Sequence, residues 1–310
     1  MNDLYNAVTG FIIGDISGVP YKNQRRNSFV CNNIKLYEYN ENHFPTHSIL
    51  WGDNTSLILC SLDSIKHKIK DDNKEKPPMK MSQINEREKK IKEKILKDFN
   101  SNIKEFKYFG KFTNKCYDLS KRKLVSTRKY LPSVELIKAV PLAFIKEKNQ
   151  EKIMEYIKLL NITSKDDITA DIGCLIYILL LRESTYKKNI KEALRSVVDN
   201  ITEDYKIPEY NRIWNQSILY ETEDNIISRG FPADVIEASI WCCYNNLSYK
   251  NAVLAAVNLG GETDTIAALT GALASVLYGN IPEEWIRHIK KENMIKNMYN
   301  IFIKKENRGG

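Results

Sequence analysis

Gly260-Gly261-Glu262-Thr263-Asp264-Thr265 runs without a break into Ile266-Ala267-Ala268-Leu269-Thr270-Gly271-Ala272-Leu273-Ala274-Ser275-Val276-Leu277-Tyr278, and Gly279 follows. The second part has the small, apolar composition of a helix packed closely on all sides. The first part sets two glycines, which let a backbone turn sharply and approach its neighbours, ahead of two carboxylates and hydroxyls at an expected helix N-terminus. Oxygen donors gathered in this way suit a hard cation such as Mg²⁺. A second polar cluster, Trp51-Gly52-Asp53-Asn54-Thr55-Ser56, opens the apolar segment 57–62. The two clusters are expected to face each other across a cleft.

Away from these clusters apolar residues recur at helical spacing, and alternating runs bounded by turn residues are scarce. The reading is all-α, with helices expected over 2–16, 55–70, 84–106, 135–147, 150–160, 167–183, 190–198, 232–245, 249–259 and 264–278. Ser248 before one helix and Pro282 after another supply punctuation. No Pro/Gly/Ser-rich linker divides the 310 residues, so 1–310 is read as a single compact multi-helix domain. The charged stretch 71–85, with Pro77-Pro78, reads as a surface loop or insertion. The segment after it places Ile84, Ile91, Ile95, Phe99 and Ile103 on one face, the pattern of a helix laid on a core with its charged side in water.

Net charge is +8, yet the Lys excess is spread along the chain, and Glu86, Glu88, Glu93 and Asp98 break up the most basic helix. No module interleaves aromatic residues with Arg and Lys, so no nucleic-acid partner is expected. The cysteines, Cys31, Cys60, Cys116, Cys174, Cys242 and Cys243, form no CxxC pair, which argues against zinc and against a disulfide scaffold. Asp15 interrupts the apolar stretch 10–19 and no basic region precedes it, so no signal peptide is read there. The longest nearly apolar stretch, 266–281, is shorter than the about 20 residues a bilayer needs. The expectation is a soluble, intracellular, cytoplasmic protein with no membrane partner.

Taken alone, Asp53-Asn54-Thr55 and Thr263-Asp264-Thr265 read as helix caps. The longer order changes that. Gly14-Asp15-Ile16-Ser17-Gly18-Val19-Pro20-Tyr21 precedes the Trp51 cluster; Gly230-Phe231-Pro232 and Ala256-Val257-Asn258-Leu259 lead to the double glycine. Leu277-Tyr278-Gly279 then stands just before Ile281-Pro282-Glu283-Glu284-Trp285. This ordered set resembles the ADP-ribosylglycohydrolase family, the DraG-like hydrolases that remove ADP-ribose from modified proteins or small molecules. The resemblance covers nearly the whole chain and is sharp at 10–21, 51–59 and 230–285.

The resemblance implies an all-α domain holding a binuclear Mg²⁺ or Mn²⁺ site, with ADP-ribose or an ADP-ribosylated substrate as partner. It sets Asp53, Asn54, Glu262, Asp264 and Thr265 at metal-ligand positions and Ser133, Lys138 and Ser164 at substrate-contacting ones; no catalytic residue is assigned. Thr55 also matches the first motif. Glu262 and Asn54 each replace an Asp, Gly52 stands where the family has a ligating Thr, and Lys22 stands where many members carry an acid. Asp53, Glu262 and Asp264 against Lys22 leave a formal charge of −2, so two divalent ions would leave the cluster net positive. One weakly held ion at most is expected.

Val134 and Glu135 fall in the family's phosphate loop and Ser164 where a His is common, which removes further ligand contacts. His43, His47, His67 and His288 lie outside the matched motifs and read as surface or loop residues. Two expectations follow. One is a hydrolase that cleaves the glycosidic bond of ADP-ribose with metal-bound water. The other is a catalytically impaired binding or interaction protein in which the Lys22 ammonium, reaching between Asp53 and Asp264, replaces a metal.

Overall fold

A computed structural model of the chain describes residues 2–34, 51–74, 77–105, 117–118, 123–124, 133–161, 167–287, 289, 293 and 295–297. In chain order the helices are α1 (Asn2–Gly18), α2 (Asp53–Asp72), α3 (Met81–Lys104), α4 (Ser133–Ala139), α5 (Gln150–Leu160), α6 (Ile168–Lys187) and α7 (Ile190–Asn200). They continue with α8 (Asn211–Trp214), α9 (Pro232–Asn245), α10 (Tyr249–Asn258), α11 (Thr263–Tyr278) and α12 (Glu283–Ile286). Short 3₁₀ turns join several of them. Among the described residues the strands amount to β1 (Tyr117–Asp118) paired antiparallel with β2 (Lys123–Leu124). The fold is all-α.

Helix α11 is buried along its whole length from Thr263 to Leu277, as its small apolar sequence predicts. Helix α1 lies directly against it. A Cβ on Gly14 would come 2.0 Å from the Ala267 carbonyl oxygen, one on Gly18 2.4 Å from Asp264 Cα, and one on Gly10 2.4 Å from the Gly271 oxygen. Residues four apart share a helix face, so these three glycines form the seam along which two backbones touch. Tyr249 Oη donates to Gly10 O at 2.9 Å and Tyr177 Oη to Leu269 O at 2.6 Å, which ties α10 and α6 to the same central pair. The buried apolar side chains of these and the surrounding helices form one continuous cluster.

Side-chain caps fix several starts. Asn149 accepts from Lys152 N, Asp167 from Ala170 N, Asn189 from Lys191 N and Glu192 N, and Ser248 from Asn251 N. Elsewhere the boundaries differ from expectation. The helix expected over 135–147 ends at Ala139 and gives way to a 3₁₀ turn, Val140–Phe144, because Pro141 has no N–H to continue the α-ladder. The stretch 71–85 is not all loop: α2 runs through Asp72 and α3 begins at Met81. Ion pairs between Asp71 and Arg87 and from Lys68 to Asp72 and Glu88 extend both helices into it. Ile91, Ile95, Phe99 and Ile103 are buried as expected, whereas Ile84 is 41% exposed. His67 Nε2 lies 2.8 Å from Asp98 Oδ2 between α2 and α3; His43, His47 and His288 fall outside the described residues.

Candidate active-site cleft

Glycine at 260 and 261 is enforced twice over. Both have positive φ, 71° and 68°, where a side chain is strained. Both are also in contact: a Cβ on Gly260 would lie 2.6 Å from Arg26 N and one on Gly261 2.2 Å from Ser228 O. The reason is a backbone pairing. Asn23 N donates to Gly261 O and Gly261 N to Gln24 O, each at 2.8 Å, while Glu262 N donates to Ser228 O at 3.0 Å. The turn therefore launches α11 with its first residues registered against the loop that follows α1.

Neither polar motif caps its own helix. Helix α2 starts at Asp53 with Gly52 as N-cap, and α11 starts at Thr263 with Glu262 as N-cap; neither N-cap makes a side-chain capping bond. Capping of α2 comes instead from Asp15 on α1. Its Oδ2 accepts from Gly52 N at 2.9 Å, Thr55 N at 3.2 Å and Thr55 Oγ1 at 2.6 Å. Thr263 Oγ1 donates to Gly18 O at 2.7 Å. Asp53, Asn54, Asp264 and Thr265 thus sit within first helical turns rather than as caps, which corrects the cap reading of each cluster taken alone.

The two motifs do meet. Asn54 Nδ2 donates to Thr265 Oγ1 at 3.4 Å, and Asp53, Asn54, Asp264 and Thr265 are all buried. Lys22 closes the cluster: its Nζ donates to Asp264 Oδ2 at 2.7 Å and lies 3.6 Å from Glu262 Oε2. The ammonium reaches Asp264 as the sequence suggested, and Glu262 supplies the further carboxylate. Asp15 is drawn into the same field. Burial, reinforced by the Asp264 charge, pushes its carboxyl up to about 7 against the opposing pull of Thr55 and Lys22. Burial likewise raises Glu262, with Lys22 acting in the opposite direction and Asp264 adding to the rise.

The donor set does not fit the binuclear metal centre implied by resemblance. Among the described residues no group of three or more His, Cys, Asp or Glu side chains is arranged to hold a metal ion. One oxygen of Asp264 is already committed to the Lys22 ammonium. A residue as small as Gly52 at the position of a ligating Thr also has a physical cause, since a Cβ there would lie 2.6 Å from Asp15 Oδ1.

The substrate-contacting candidates are placed differently. Ser133 opens α4 and its N–H donates to Gly230 O at 3.3 Å, which brings α4 beside the Gly230-Phe231-Pro232 turn. Lys138 has no exposed side-chain surface and pairs with Glu135 one turn earlier. Ser164 lies outside the described residues. Asp15, a positioning residue through its bonds to Gly52 and Thr55, stands outside the candidate set that the motifs define. An acid in the middle of an apolar helix beside a packing glycine is its sequence signal, but nothing local says which N-terminus it faces.

Together these features define an all-α protein in which the starts of α2 and α11 meet in a buried polar cluster, with Lys22 of the loop after α1 against it. A family model described as ADP-ribosylglycohydrolase matches residues 2–309, and the chain belongs to that family. Over 77 residues it is 39% identical to the ADP-ribosylarginine hydrolase Tri1 of Serratia proteamaculans (strain 568), covering 24% of this chain and 21% of that protein. Over 71 residues it is 37% identical to the Tri1 protein of the same description from Pseudomonas putida (strain GB-1), covering 22% and 19%. The matches thus span about a fifth of the length of these relatives. A solved chain described as an ADP-ribosylglycohydrolase-related protein complex superposes with a TM-score of 0.65 at 18% identity, over 97% of this chain and 96% of that one. At that identity the likeness is one of fold. No helix among the described residues is long and apolar enough to cross a membrane.

Proposed function

We propose that this protein recognises ADP-ribose, free or attached to a protein or small molecule, in the cleft between the starts of α2 and α11, and hydrolyses the bond at its anomeric carbon. The observation that carries the reading is the Asn54–Thr265 contact, which joins the two polar motifs in a chain that matches the family over its length. The similarity to ADP-ribosylarginine hydrolases supports an ADP-ribose linkage as substrate class. Asp53, Asn54, Asp264 and Thr265 offer the mixed donors and acceptors that ribose hydroxyls require. Hydrolysis places the water hydroxyl on the anomeric carbon and returns a proton to the departing group. Any divalent ion would be Mg²⁺ or Mn²⁺, and no step is assigned to it.

A second reading is favoured by the Lys22–Asp264 pair: a binding or interaction protein that keeps the cleft and has lost turnover. Calorimetry with ADP-ribose, in the presence and absence of Mg²⁺, separates the two when combined with release assays on Arg- and Ser-modified peptides. Turnover supports the hydrolase and removes the second reading. Binding without turnover does the reverse. No binding and no turnover under any of these conditions overturns both.

A further inference from the structure

Lys22 is delivered to the cleft by backbone, not by chance of a flexible surface side chain. The residue after it is pinned by Asn23 N to Gly261 O, the next by Gly261 N to Gln24 O, and Arg26 Nε donates to Leu259 O at 3.2 Å. This ladder runs along the double glycine that starts α11, so the ammonium and the carboxylates it meets are set by one local pairing. Asp264 keeps 4% of its side-chain surface, Glu262 18% and Lys22 25%. At that burial a carboxylate needs a counter-charge, and the Lys22 ammonium is 2.7 Å from one Asp264 oxygen. The other oxygen, Oδ1, is buried and has no hydrogen-bond partner among the described residues, which leaves it as an acceptor for a water or a substrate hydroxyl.

We propose that the Lys22 ammonium is a built-in monovalent cation that stands in for a divalent ion at the N-terminal turn of α11, so that the cleft is assembled without metal. A divalent ion at the same carboxylates would lie within a few ångströms of the ammonium and be repelled by it. It would also have to compete for an Asp264 oxygen already engaged in a charge-assisted hydrogen bond. Mg²⁺ in particular demands near-octahedral oxygen coordination and loses water reluctantly. The inference rests on the cleft being the family's site, and it holds whether or not ADP-ribose is cleaved.

The test titrates the full-length, metal-stripped protein with Mn²⁺ and with Mg²⁺ by calorimetry and follows Tm in EDTA and in each metal. No ADP-ribose is present, so its outcome is independent of the catalytic reading. The wild-type chain is expected to show no saturable binding and no change in Tm. Lys22→Met is expected to melt lower in EDTA and to regain stability with Mn²⁺, at an affinity at least about tenfold above wild type. Should Lys22→Met fail to fold, Lys22→Gln, which retains a hydrogen-bond donor for Asp264, is read in the same way. Saturable binding by wild type as tight as by the variant overturns the proposal. So does a variant that remains as indifferent to metal as wild type.

Discussion

A Cβ placed on Gly52 would lie 2.6 Å from Oδ1 and 2.8 Å from Oδ2 of Asp15, the carboxylate that caps the helix Gly52 begins. The acid and the glycine therefore specify each other across two helices. Gly52→Ala is expected to destabilise the protein by about 1–3 kcal/mol, because Asp15 must leave its cap to admit the methyl. In an Asp15→Ala background the same change should cost less. Urea midpoints of the four proteins close the cycle, and additive losses would show that the two residues do not compete for space.

The α1–α11 seam makes a sharper claim. Gly14→Ala would set a methyl 2.0 Å from a backbone oxygen, which no rotamer change relieves, so a loss of about 3 kcal/mol or more is expected. Gly279 offers the contrast, with φ of 61° but no atom of the described residues within 4 Å of a Cβ. Gly279→Ala should cost only backbone strain, about 1–2 kcal/mol. Equilibrium denaturation that ranks Gly279→Ala as the more damaging would contradict the close-packed seam.

Glu135 and Lys138 form an ion pair with side-chain exposures of 1% and 0%. Lys138→Met takes the opposite charge from a buried carboxylate and is expected to cost about 3–5 kcal/mol. Glu135→Leu combined with Lys138→Met should recover most of that loss, since a buried pair replaced by apolar groups is often neutral. Thermal melts of the single and double variants decide the matter.

Stability should also fall with rising pH for a reason outside the cleft. Burial pushes the Glu237 carboxyl from 4.5 up to about 7, with Asp234 and Glu221 adding to the rise and Arg212 opposing it. A group raised in the folded state binds its proton more tightly there than in the unfolded chain. Its contribution is fully present below about pH 4.5 and is lost as the pH climbs through about 7. Glu237→Gln should flatten the stability profile across that window. An unchanged slope would show that Glu237 ionises no differently when folded.

Much of this was legible in local sequence. The helical period, the limits of α5 and α9, the Ser248 cap and the small apolar helix α11 follow from neighbours a few residues apart, and helices are built from such neighbours. The break after Ala139 is local too, since Pro141 has no N–H to continue the helix that the apolar pattern alone extends to 147. The true ends of α2 and α3 were not legible, because ion pairs between the two helices extend them into a stretch whose composition reads as loop.

The cleft divides in the same way. Sequence by itself determined the family, the two polar motifs and the charge imbalance at Lys22, since residue identities and their order carry those. Tertiary structure alone decided that Asp15 caps α2 from another helix, that Lys138 is held inside by Glu135, and that the Lys22 ammonium meets Asp264 together with Glu262. The physical reason is distance. Hydrogen bonds and charge pairs act over a few ångströms, whereas Lys22 and Asp264 stand 242 residues apart in the chain, and the seam of α1 on α11 together with the backbone pairing of Asn23 and Gln24 on Gly261 brings them within that range.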